Sequence, residues 1–411
     1  MGEPMADDVR GGGLPRLRQL NSRSVLRVLR GEPGLTLTEI SRRTGLSRAS
    51  TEDVVAELCA RGWVTEAVPT SGKVGRPARR YRFRAEAGRV LGVEAGARRV
   101  VAVVCDLDGV VLESARVAAT PAQDHGARLA AVDEAVALAL AGAGLRGGDI
   151  WATGVGTPAR AEIPDRGEIP GQGEIPGQGE APDREQIADR AAGAVAGRAR
   201  GDLRAHLGRT VPGTVLVEED SRLAVLAECW HGAARYADNV VGLYAGETVG
   251  LGLMVEGRLH HGFGNAAGRL GVLPAFGWSR AGERLASWRP KTVGGPGGPG
   301  PDVFGAAGSG DSSAKAAVRR YAGDLGVGAA ALVLTLDPQL VLLAGRFAEA
   351  GEVAVEPFRR QLERRCLRIP EIRLSTLGDR AVALGAARLA LDHVADLGVG
   401  GQLASPPPVS S

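Results

Sequence analysis

The feature that most constrains this chain is the punctuation of residues 36–62, "TLTEISRRTGLSRASTEDVVAELCARG". Thr36 or Thr38 can cap a short helix whose apolar residues are Leu37, Ile40 and Leu46. Gly45 stands where a helix-turn-helix needs its tight turn. Ser47 is a natural N-cap for a second helix, Val54, Val55, Leu58 and Cys59 form its buried stripe, and Gly62 ends it. Upstream, "LNSRSVLRVLR" at 20–30 sets Leu20, Val25, Val28 and Leu29 at helical spacing, and "GEPG" at 31–34 stops that segment.

Past Gly62, "WVTEAV" and "RRYRFR" are two β-prone runs around "PTSGKVGRP". They predict a hairpin with a long, basic, Gly/Pro-rich tip, and a hairpin after a helix-turn-helix is a wing. Gly-Arg-Pro offers almost no apolar surface, so packing does not account for the tip. An extended arginine fixed by Pro77 suits a narrow minor groove, where negative potential is concentrated. A helix entering the major groove presents its N-terminal residues to the bases. The candidate DNA-contacting residues are therefore Ser47, Arg48, Ser50, Thr51, Lys73, Gly75, Arg76, Pro77, Arg79 and Arg80. The alternatives are a helical hairpin with a solvated face and an incidentally basic loop.

Charge agrees with the DNA reading. Residues 1–84 carry 16 Lys+Arg against 9 Asp+Glu, a balance of +7, and the rest of the 411-residue chain sums to −4. A basic head on a mildly acidic body predicts a polyanion partner for the first and another task for the second. Only three lysines stand beside 47 arginines, so the choice of arginine carries less information than its position. Cys59, Cys105, Cys229 and Cys366 are scattered without metal-ligand spacing or a disulfide pattern, so no metal site is expected. No run of 18 apolar residues and no signal peptide are visible, which predicts no membrane partner and a cytoplasmic protein.

Beyond residue 84, "RVLGVEAG", "RVVAVVCDL" and "LVLLAG" read as buried strands, and they alternate with Ala-rich helical stretches that include 127–141 and 381–395. That is a mixed α/β pattern. Residues 162–185 are four hexads, "EIPDRG", "EIPGQG", "EIPGQG" and "EAPDRE", whose regular proline excludes helix.

From Leu20 onward the chain resembles the transcriptional repressors of the ROK family (repressor, open reading frame, kinase). The resemblance rests on "GRP" before "LGVEAG", on "VVAVVCDLDGVVLES", "ATGVGTP" and "VLVEEDSRLAVLAECWHGAA", and on "GLGLMVEGRLHHGFGNAAGRLG". Closing segments "LVLTLDPQLVLLAGRFAEAG" and "LSTLGDRAVALGAARLAL" complete the order. It covers about 20–160 and 210–395.

The implied fold class is α/β: an N-terminal winged helix-turn-helix joined to an actin-like (ribonuclease H-like) body of two subdomains. The expected domains are a disordered tail at 1–15, the DNA-binding domain at 16–84, the body at 85–398 and a second tail at 399–411. Within the body, a small subdomain is expected at about 85–212 plus 385–398 and a large one at about 213–384, with a low-complexity insertion at 160–186.

Against the family's kinases the chain departs at several places. "EAGARR" at 94–99 puts Glu94 where the resemblance implies a phosphate-hairpin aspartate, and "AGETVGLG" at 245–252 puts Glu247 in the second phosphate loop. A carboxylate there repels a nucleotide. Asp220 stands at the implied catalytic base, but without its phosphate loops it reads as structural. Where the family reads sugar hydroxyls, this chain has Glu219-Asp220, and "RLGV" replaces Glu-x-Gly-His with Arg269 and Val272. The implied zinc segment, "PAFGWSRAGERLASW", contains no cysteine. The expectation is a DNA-binding regulator, most simply a repressor, that is not an enzyme, has no catalytic residues and needs no cofactor. Its expected partners are a double-stranded DNA operator and a second copy in a homodimer or tetramer; the body either senses a non-standard effector, a sugar derivative or acid held by Glu219, Asp220, Asn265 and Arg269, or is vestigial. A closed internal ion pair of Arg269 with Glu219 or Asp220 is the competing reading of that cluster, and a sugar kinase with a DNA-binding-like extension is the competing function.

Overall fold

The computed structural model describes residues 13–67, 78–119, 125–158, 194–246, 248–290 and 302–399. The hexads, the wing tip with Lys73, Gly75, Arg76 and Pro77, and all but the inner margins of the two tails lie outside the described residues.

The head consists of α1 (Gly13–Leu29), β1 (Leu35–Thr36), α2 (Leu37–Thr44), α3 (Arg48–Ala60), β2 (Val64–Ala67) and β3 (Arg80–Phe83). Helix α1 begins at Gly13, inside the stretch expected as a tail. Of the two candidate caps it is Thr36 that starts α2. Its hydroxyl accepts from the Glu39 amide while the Glu39 carboxylate accepts from the Thr36 amide, a reciprocal capping box. Gly45 ends α2 at φ 73°, a conformation that costs a side-chain-bearing residue strain. Ser47 caps α3 by accepting from the Ser50 amide at 3.1 Å. The strands form a three-stranded sheet in the order β1-β3-β2, antiparallel throughout.

The body contains two five-stranded sheets of the same design. The first has the order β6 (Val111–Ala118), β5 (Arg99–Asp106), β4 (Arg89–Ala95), β7 (Ile150–Thr157), β8 (Thr214–Glu219). The second has the order β11 (Arg258–Leu259), β10 (Val249–Val255), β9 (Val240–Ala245), β12 (Leu340–Gly345), β13 (Glu371–Leu374). In each, three antiparallel strands continue into parallel ones. The inner strands β4, β9 and β12 are buried on both faces, as their unbroken apolar runs require, whereas β6 alternates half-buried and exposed positions. Strand β8 pairs with β7, so residues 214–219 belong to the first sheet.

The helices are α4 (His125–Gly142), α5 (Ala194–Thr210), α6 (Asp220–His231), α7 (Trp278–Ala286), α8 (Val303–Gly308), α9 (Ser312–Leu336), α10 (Phe347–Ala350), α11 (Glu352–Glu363) and α12 (Ala381–Val399). Helices α6 and α12 pack together between the two sheets. The approach of α6 to the second sheet explains two glycines of "VGLGL". A Cβ on Gly250 meets Ser221 Cβ at 2.5 Å, and one on Gly252 meets Val225 at 2.7 Å. These glycines seat a helix rather than cradle a phosphate.

Head and body share one apolar cluster. Val25, Leu29, Trp63 and Phe83 of the head join Val103, Leu107, Ala387 and Leu391 of the body in it, each buried. Trp63 meets Trp151 edge-to-face with centroids 5.7 Å apart. Each such buried aliphatic side chain is worth about 1.5–3 kcal/mol and the aromatic pair about 0.5–1.5 kcal/mol more. The head is thus fixed by packing as well as by its connecting chain.

Candidate functional site

At the head, the N-terminus of α3 presents Ser47 and Arg48, both exposed, with Ser50 half-buried beside them. The Ser47 and Ser50 hydroxyls lie 2.9 Å apart. Thr51 does not join this face. Its side chain is fully buried and its hydroxyl donates to the Ser47 carbonyl at 2.9 Å, because the helical phase that exposes Ser47 and Arg48 turns residue 51 into the core with Val54 and Val55. The expected base contact from Thr51 is therefore corrected to a packing role.

The arginines at the wing base are also more committed than their sequence implies. Arg79 pairs with Glu66 at 3.2 Å, and Arg82 makes a two-pronged pair with Glu86 at 2.9 and 2.7 Å. Arg80 donates to the Gly34 carbonyl at 3.0 Å and to Glu39 at 3.3 Å. It ties the wing to the capping box of α2 while its side chain stays 41% exposed. Arg84 is buried and donates to the Gly62 carbonyl at 2.9 Å. What the basic run does locally is hold the hairpin at a fixed angle to α2 and α3.

In the body, β8 runs into α6 through Glu218-Glu219-Asp220-Ser221-Arg222, five consecutive polar residues that are all buried. Charges are expensive to bury unless paired, and these are paired. Arg222 reaches Glu218 at 3.2 Å and lies 3.8 Å from Glu219. Arg269 donates to the other Glu219 oxygen at 2.5 Å, and the His261 ring lies 2.7 Å from Glu218. Burial pushes the Glu218 carboxyl up, but the His261 bond and the Arg222 charge outweigh it and hold it at about 2. Asn265, at φ 56°, accepts from Arg222 through its side-chain oxygen at 2.5 Å and through its carbonyl at 2.9 Å. Three of the four expected effector residues, Glu219, Asn265 and Arg269, are thus brought together. The fourth, Asp220, lines a separate cavity between the sheets.

Sequence reasoning missed Arg222. Its signal was an arginine three and four residues after Glu219 and Glu218, just ahead of the apolar run Leu223–Ala227, the spacing at which helical side chains meet.

The cavity beside Asp220 measures about 110 Å³ and is lined by Glu94, Glu349 and Asp379 together with Arg98, Arg99 and Arg346. Ligand pockets usually measure about 300–1,000 Å³. Arg99 bridges Glu94 at 3.4 Å and Asp379 at 2.8 Å, and Arg116 also pairs with Asp379. Burial raises Glu94 to about 7, Arg99 opposing and Asp379 reinforcing the shift, and burial raises Glu349 as well. Four carboxylates and three arginines thus line a cavity smaller than ligand pockets usually are, and Arg99 and Arg346 are already paired within the chain. A larger cavity, about 760 Å³, lies farther out between β10 and α7–α9, walled by Trp278, Trp288, Phe304 and Tyr321. Arg346, stacked on Phe304 and paired with Asp302, lines both cavities.

The residues present do not fit the zinc that the resemblance implies. Helix α7 occupies the segment without a cysteine, and burial pushes the Cys105 and Cys229 thiols, on other elements, up to about 12. Zinc takes thiolates, not thiols. Among the described residues no three His, Cys, Asp or Glu gather to hold a metal, and no helix is long and apolar enough to cross a membrane.

The chain is similar to a xylose repressor of Caldicellulosiruptor bescii, 20% identical across 92% of this chain and 97% of that protein. It is 30% identical to a glucokinase of Halalkalibacterium halodurans over 42% of this chain, and the match spans 62% of that kinase's length. Among solved structures it shares its fold with a ROK family transcriptional regulator described as a homologue of the E. coli MLC protein. The TM-score is 0.64 at 17% identity, over 94% of this chain and 98% of that one. The MarR family model matches residues 18–73, which contain the helix-turn-helix, and the ROK family model matches 90–277 and 295–393. Two sheets of one design, a helix pair between them and these two matches lead to one conclusion: the chain belongs to the ROK family and carries a MarR-type winged helix domain at its N-terminus.

Proposed function

We propose that this protein is a transcriptional regulator that binds a double-stranded DNA operator and represses from it, and that its body does not transfer phosphate. One observation carries the reading: the head keeps Ser47 and Arg48 exposed at the N-terminus of α3, while Glu219, at a sugar-reading position, and its neighbour Glu218 are held by the chain's own arginines. The relative matched along almost its whole length is named a repressor, whereas the glucokinase match is partial, and this supports repression over catalysis.

The wing tip, Lys73, Gly75, Arg76 and Pro77, enters the minor groove beside the helix. Two copies read a two-fold site, as a homodimer or a tetramer. Operator binding places the protein in the cytoplasm. Neutral hexoses do not act as effectors, because a guanidinium only donates and Glu219, at a position where hydroxyls would be read, is taken by Arg269. An effector, where one acts, is an acid or an acidic sugar derivative. Selection of bound duplexes from a random pool, followed by gel-shift titration of the enriched sequence, tests the reading. Failure to enrich any sequence would remove it. The alternative, a sugar kinase with an added head, draws on the glucokinase match and predicts steady ADP release with ATP and a hexose.

A further inference from the structure

The guanidinium of Arg222 is bonded as a ligand is bonded. Its side chain is 1% exposed. Of the five N–H donors a guanidinium owns, one nitrogen's pair reaches Glu218 and the Asn265 side chain, and the other pair reaches the Asn265 and Ala267 carbonyls at 2.9 and 3.2 Å. The remaining N–H, on Nε, lies 3.8 Å from Glu219. These partners come from two places, the end of β8 and the turn that follows β11, the latter 43 and 45 residues beyond Arg222 in sequence. Two carboxylates on one side and an amide with two carbonyls on the other form a ring of acceptors around a small planar group. Glu218 and Glu219 are balanced by Arg222 and Arg269, so the cluster needs no outside charge.

We propose that Arg222 stands in for a bound ligand: its guanidinium takes the Glu218, Asn265 and Ala267 acceptors and holds the 260–269 turn, with Asn265 and Arg269, against α6 without any small molecule. Three features make the arrangement specific to arginine. A lysine ammonium cannot span four acceptors in one plane. The glycine seat under α6 brings the helix close enough for residue 222 to reach the turn. Asn265 holds a left-handed conformation that aims both its oxygens at the same guanidinium. Arg222 is therefore a positioning residue for the turn that carries Asn265 and Arg269. The inference deepens the reading that neutral hexoses are not effectors, and it stands on contacts that do not involve DNA.

Chemical rescue of the full-length chain tests it. Arg222→Ala should lower the melting temperature by roughly 5–10 °C, since breaking a buried pair leaves a charge unmatched. Low-millimolar guanidinium chloride should restore most of that loss, because a ligand bound only by the native state stabilises it, while equal sodium chloride or urea should not. Trypsin cleavage at Arg258 and Arg269 should speed up at least several-fold in the variant and slow again with guanidinium. An Arg222→Ala protein that melts with the wild type, or that gains no more from guanidinium than from sodium, overturns the proposal. If Arg222→Ala does not accumulate, Arg222→Lys decides: loss of protection at Arg258 and Arg269 is expected, and full protection contradicts it. These readouts are independent of operator binding, so their failure is distinguishable from failure of the regulator reading.

Discussion

The wing base and the body cleft are both built from arginine–carboxylate pairs, yet they differ in what the pairs can do. At the wing base, Arg79 and Glu66 are 66% and 55% exposed. In the cleft, Arg222 and Glu219 are 1% and 5% exposed. An exposed pair is screened by water and salt and contributes about 0–1 kcal/mol, so a phosphate can replace the carboxylate at little cost. A buried pair cannot trade partners, because each exchange leaves a charge stranded in a medium that solvates it badly. The same two residue types therefore give an exchangeable surface in one region and a lock in the other.

The largest effect should come from breaking the lock. Glu219→Ala strands Arg269 and weakens the hold on Arg222, and should cost about 3–5 kcal/mol in urea unfolding. A loss below about 1 kcal/mol would place the cleft pairs in the same class as the wing pairs.

The two carboxyl groups with opposite shifts sharpen the comparison through pH. Glu218 sits at about 2 in the folded chain against an ordinary 4.5, so it adds stability above pH 4.5 that is lost as the pH falls toward 2. Glu94 sits at about 7, so the contribution of its protonated form is complete below pH 4.5 and is lost as the pH rises through 7. Glu94→Gln should therefore raise stability at pH 8 by on the order of 2 kcal/mol and leave it nearly unchanged at pH 4. An equal change at both pH values would contradict the burial of an ionising Glu94.

At the head, Arg48→Ala should weaken operator binding by roughly 1–2 kcal/mol with the fold intact, as read in a gel-shift titration. Thr51→Val, in contrast, should act on stability alone. The smallest effect should be Glu66→Ala. It should change unfolding by less than about 1 kcal/mol and, by freeing Arg79 for a phosphate, steepen the salt dependence of DNA binding by about one ion. An unchanged salt slope would keep Arg79 out of the interface.

The helix-turn-helix was legible because its signals are local. Thr36, Gly45 and Ser47 act on backbone groups a few residues away, and the apolar stripe of α3 repeats at helical spacing. The side chains at the wing base were not legible in the same way. Arg80 bonds Glu39 across 41 residues and Gly34 across 46, and no periodicity announces such a contact. Thr51 was misread because polarity was weighed ahead of helical phase. In the body, alternating buried strands and Ala-rich helices gave the fold class, but nothing local in residues 214–219 says which sheet they join. The pairing of Arg269 with Glu219 was one of two readings open in the sequence. Arg222, which holds the cleft together, was hidden by its distance from Asn265.

The central claim is that the head reads DNA while the cleft is closed by the chain's own charges. Fluorescence anisotropy on a duplex enriched from a random pool, repeated with saturating neutral hexoses, tests both halves at once. Sequence-specific binding that falls steeply with salt and is unmoved by any hexose is expected. Release of the duplex by a plain neutral hexose would contradict the closed cleft, and binding that cannot tell the enriched duplex from a scrambled one would contradict the reading head.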